Sequence, residues 1–79
     1  MNQNTIKISL NSSKKVVNFI NKVNTFQSDI DVITDRGVVD GKSIIGLYAT
    51  DLSGNTYARI ITNNYEEAMR FRMVMEEFR

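Results

Sequence analysis

The chain contains no cysteine, no histidine and no proline, and each absence removes a class of answer. Without cysteine there is no disulfide, no thiolate metal site and no thiol nucleophile. Without histidine the commonest general base and the commonest transition-metal ligand are both missing. The chain is therefore read as a non-enzyme with no cofactor and no metal. Charge is also scarce in one sense: the formal net charge is only +1, too little for the broad basic field that nucleic acid attracts. No apolar run approaches the ~20 residues of a membrane span. The start, Met1-Asn2-Gln3-Asn4, has neither the basic opening nor the apolar middle of a secretory leader. The expected setting is cytoplasmic, with neither membrane nor nucleic acid as partner. What is present is ordinary globular material: 79 residues, 42% hydrophobic and 24% charged, enough for one small domain spanning 1–79.

The apolar period switches several times along the chain. Residues 5–10 alternate, with Ile6, Ile8 and Leu10 on one side, as in a half-buried strand. Val16, Phe19, Ile20 and Val23 then recur at helical spacing, so Ser12 or Ser13 caps a helix that ends near Asn24. Residues 28–34 alternate again, and Asp35-Arg36-Gly37 turns the chain into a short strand at 38–39. A brief helix over 42–49 follows, then a loop containing Asp51, Ser53, Gly54 and Asn55, then a strand over 56–62. Asn63-Asn64 caps a last helix with Glu66 and Glu67 in its first turn and Ala68, Phe71, Met75 and Phe78 as its buried stripe. The order βαββαβα predicts an α+β open-faced sandwich, a four-stranded antiparallel sheet covered on one face by three helices.

Several residues invite a chemical reading. Ser43 opens the second helix, where a hydroxyl caps the backbone and where the positive helix end would also favour a phosphate, next to Lys42. It is either a cap or a switch. Lys14 and Lys15 sit at the start of the first helix, where cations oppose the dipole, and either attract an anionic partner or are plain solvated charges. Ile44, Ile45, Leu47 and Tyr48 cannot all point inward from about two turns. Glu66-Glu67 and Glu76-Glu77 read as solvent charges, because neighbours on a helix point ~100° apart. Met69, Met73 and Met75 read as core. Alternation places Tyr57, Arg59 and Ile61 on the sheet face away from the helices, open to pairing between chains or, more remotely, to RNA.

The segments Asp29-Ile30-Asp31-Val32, the glycine turn and Gly41-Lys42-Ser43-Ile44-Ile45-Gly46-Leu47 resemble the middle of HPr, the small phosphocarrier of the sugar phosphotransferase system. Asn18-Phe19-Ile20-Asn21-Lys22-Val23-Asn24-Thr25-Phe26 also fits that family's first helix and following phenylalanine. Where the family has His-x-Arg-Pro, this chain reads Ser12-Ser13-Lys14-Lys15, so Ser12 stands at the histidine site and all three hallmark residues are replaced. The resemblance implies a histidine-lacking regulator. Its Ser43 falls on the serine that an ATP-dependent kinase modifies in Gram-positive HPr and in histidine-lacking HPr-like regulators. It also implies that the surface of Ile44, Ile45, Leu47 and Tyr48 docks protein partners of the phosphotransferase or carbon-regulation type, to which the residues themselves add Lys14 and Lys15 as a separate candidate contact. A degenerate phosphocarrier that docks on transport proteins without relaying phosphate is the alternative. The expected state is a monomer or weak homodimer.

Overall fold

The computed structural model describes residues 4–79; the amino-terminal reading of Met1-Asn2-Gln3 lies outside them. Strand β1 runs Thr5–Ile8, helix α1 Ser13–Val23, β2 Asp29–Thr34, β3 Gly37–Asp40, α2 Ile44–Tyr48, β4 Thr56–Ile61 and α3 Tyr65–Met75, with a 3-10 turn at Glu76–Phe78. The predicted βαββαβα order and open-faced architecture are what the chain adopts. Its four strands pair antiparallel in the order β1-β4-β2-β3.

Each helix begins where a side chain can hold its first free amide. Ser12, not Ser13, caps α1, its Oγ accepting the Lys15 N–H at 3.2 Å. Asn64 caps α3 by accepting the Glu67 N–H at 2.9 Å. The hairpin between β2 and β3 closes through Asp35 and Arg36, and Gly37 follows with φ +138°, a backbone that a side chain would strain.

Ile8, Ile30, Val32, Ala58 and Ile60 face the helices from the sheet, and Val16, Phe19, Val23, Leu47, Phe71 and Met75 meet them. Phe78, placed by the 3-10 turn and not by α3 itself, seats edge-on against Phe19 at 5.4 Å between centroids. Phe71 meets Phe26 in the same way at 6.1 Å. Two readings are corrected here. Met73, expected in the core, is 72% exposed, because only Phe71 and Met75 fall on the inward side of α3. Glu67, expected to be a solvent charge, is half-buried and bonded to Ser28. No helix among the described residues is long and apolar enough to cross a membrane.

Candidate functional site

The segment that leads into α2 is held from both sides. Gly41 closes the end of β3 by donating its N–H to Ile30 O at 2.7 Å, and a Cβ there would stand 2.8 Å from that same oxygen. Asp40 then organises the turn: its Oδ1 accepts the Lys42 N–H at 2.9 Å and its carbonyl accepts the Ser43 N–H at 3.1 Å. Ser43 emerges extended and caps α2, its Oγ accepting the Gly46 N–H at 3.1 Å. The cap is thus formed in the unmodified protein.

Lys42 departs from expectation. Its ammonium donates to the Phe26 carbonyl at 2.7 Å, which ties the turn to the segment after α1. It does not stand free as a counter-charge for Ser43, because the carbonyl beyond α1 is a fixed acceptor within reach of its long stem.

Helix α2 sorts its apolar residues by direction. Leu47 is fully buried at 0% exposure and belongs to the core, so it leaves the expected set of contact residues. Ile45 is 80% exposed, and Ile44 and Tyr48 are also exposed. Five residues make little more than one turn, and only Leu47 lands on the inward side. Helix α1 packs against α2 and presents Ser13, Lys14, Val17, Asn18 and Asn21 along a shallow depression. Lys14 and Lys15 are both exposed. Val17 was not among the residues singled out from the sequence. The available signal was that it falls about 100° from Val16 on a helical wheel, off the Val16, Ile20 and Val23 stripe. An isolated valine beside a strong apolar stripe carries no direction of its own until that stripe is seated on the core, which leaves Val17 exposed.

Chemically, the site offers hydroxyls, ammonium groups and an uncovered apolar surface. The Ser12 Oγ is occupied as the α1 cap and the Ser43 Oγ as the α2 cap. Among the described residues no group of three or more His, Cys, Asp or Glu side chains converges as metal ligands would.

These features define a small open-faced α+β sandwich with an apolar helix face exposed to solvent. The particular likeness is to HPr: the chain matches the crystal structure of HPr-C-His from Thermoanaerobacter tengcongensis with a TM-score of 0.69 at 24% sequence identity, over 92% of this chain and 89% of that one. The fold is that of HPr. No protein-family model and no curated protein matches the chain.

Proposed function

We propose that this chain, read as one domain over residues 1–79, is a non-enzymatic HPr-like regulatory protein of the cytoplasm. It docks on partners of the phosphotransferase or carbon-regulation type through the α1–α2 face and relays no phosphate through histidine. The observation that carries this reading is Ile45, four-fifths exposed on a helix that also turns Ile44 and Tyr48 to solvent. Large apolar side chains clustered outward cost solubility and are the usual anchors of a protein contact. Lys14 and Lys15 add positive charge on the neighbouring helix, suited to an acidic rim.

The missing histidine supports the loss of relay. An imidazole carries phosphate as a labile phosphoramidate, whereas a serine phosphoester lies lower in transfer potential. Ser43 is the candidate for regulatory phosphorylation. A phosphate there adds nearly two negative charges beside Ile44 and Ile45 without recruiting Lys42, whose ammonium is engaged elsewhere. Such a modification acts on the partner and leaves the fold in place. The degenerate phosphocarrier reading shares the docking face and differs only in its partner.

The experiment is to treat the protein with phosphoenolpyruvate and the first enzyme of the phosphotransferase system, and separately with ATP and an HPr serine kinase, reading intact mass. No phosphoryl gain in the first tube, and a gain in the second that Ser43→Ala removes, is the expected result. A phosphoryl gain in the first tube overturns the proposal. Docking is read by titrating phosphotransferase and carbon-regulation proteins against the isotope-labelled chain, with Ile45→Glu as the variant that should abolish the response.

A further inference from the structure

The sheet face opposite the helices is divided by charge. Strand register aligns Lys7, Tyr57, Ile33 and Val38 in one row across β1, β4, β2 and β3, and Thr5, Arg59, Asp31 and Asp40 in the next. Ile61 and Asp29 begin a third. The β1–β4 half therefore carries Lys7 and Arg59, and the β2–β3 half carries Asp29, Asp31 and Asp40. Tyr57 and Ile33 lie side by side, half-covered, on the two central strands, while Val38 on the edge strand β3 is 56% exposed and Ile61 at the end of β4 52%.

We propose that this face is a self-complementary interface on which a second copy of the chain docks, sheet on sheet, about a two-fold axis parallel to the strands between β4 and β2. That axis preserves the rows and lays β4 of one copy over β2 of the other and β1 over β3, so that Lys7 falls over the second copy's Val38 and Thr5 over its Asp40. Tyr57 then covers the second copy's Ile33, and Arg59 lies over the second copy's Asp31. An isologous contact requires such self-complementarity, and a face of one sign would repel its own image.

Arg59 is suited to this role. It reaches Asp31 within its own chain through one nitrogen, Nη2 to Oδ2 at 3.1 Å, while its Nε is shielded from solvent with no partner. Two such pairs brought face to face form a ring of alternating charges in which each carboxylate meets two guanidinium groups.

The area sets the strength. Four strands about 4.8 Å apart, two of them six residues long and two of them four, present roughly 300 Å² per copy, under half of what each partner contributes to a standard stable interface. The dimer is therefore weak and salt-sensitive, and it leaves the α1–α2 face free.

Sedimentation equilibrium up to about 1 mM protein at low salt, a range suited to an interface of this size, tests the proposal. Arg59→Asp, Asp31→Arg and Val38→Lys should each weaken dimerisation at least about tenfold. An equimolar mixture of Arg59→Asp and Asp31→Arg should restore it as a heterodimer, since each copy then supplies the charge the other lacks. Val38 is exposed, so Val38→Lys keeps the test sound if the charge reversals disturb folding, which amide NMR spectra report. A monomer at all concentrations overturns the proposal. So does a dimer lost in Ile45→Glu but kept in Val38→Lys, or a mixture that stays monomeric. Retention of the wild-type chain on an RNA column that competes with dimerisation would assign the face to nucleic acid instead and equally overturn it.

Discussion

The Glu67 carboxylate accepts two hydrogen bonds from Ser28, from its N–H at 2.9 Å and from its hydroxyl at 2.7 Å, joining the first turn of α3 to the start of β2. Arg70 completes the junction. Its guanidinium bonds Glu67 at 3.2 Å and the Thr25 carbonyl at 3.0 Å, and stacks 3.7 Å above the Phe26 ring centroid. The helix that closes the fold is thereby fixed to the exit of α1 by charge-assisted bonds as well as by packing.

Glu67→Gln should lower stability by about 1 kcal/mol, a melting shift of roughly 4–8 °C for a domain of this size, read by thermal unfolding at neutral pH. The Ser28 hydroxyl, then the Ser28 N–H, hold the Glu67 carboxyl below its ordinary value of 4.5. The unfolded chain thus binds this proton more readily than the folded one, so the stabilisation is complete above the ordinary value and is lost as pH falls through the lowered one. The gap between wild type and Glu67→Gln should close over that acid range.

Leu47→Ala and Ile45→Ala separate core from contact surface within one short helix. The first should cost about 2–5 kcal/mol because it leaves a cavity. The second should stay within about 0.5 kcal/mol while weakening partner binding. Chemical denaturation of both variants checks the contrast, and equal losses would contradict the burial of one and the exposure of the other.

Gly41→Ala should destabilise by about 1–3 kcal/mol, because its Cβ would lie 2.8 Å from the Ile30 carbonyl oxygen, a backbone atom fixed in the sheet. The displacement should pass to the Ser43 cap two residues further on, so amide shifts at Gly46 are expected to move with it.

Ser43→Ala should cost about 1 kcal/mol by freeing the Gly46 amide, whereas Ser43→Asp should keep most of that stability because a carboxylate caps as well as a hydroxyl. Urea unfolding measures both. A Ser43→Asp variant as unstable as Ser43→Ala would show that the geometry at α2 does not accept an anion in place of the hydroxyl.

What the sequence determined by itself was local: alternation at Ile6 and Ile8, helical spacing from Val16 to Val23, hydroxyl and amide caps, and the turn before Gly37. Each depends on neighbours within about four residues, so spacing alone decides it. The histidine deficit and the identity of Ser12 and Ser43 were equally legible. Tertiary structure decided the rest. It set β4 between β1 and β2, took Leu47 into the core while leaving Ile45 outside, turned Met73 to solvent, spent the Lys42 ammonium on Phe26, and paired Glu67 with Ser28. Those outcomes join residues far apart in the chain, and no periodicity records them. They follow from which apolar faces meet and which buried polar groups find partners once the sheet is assembled.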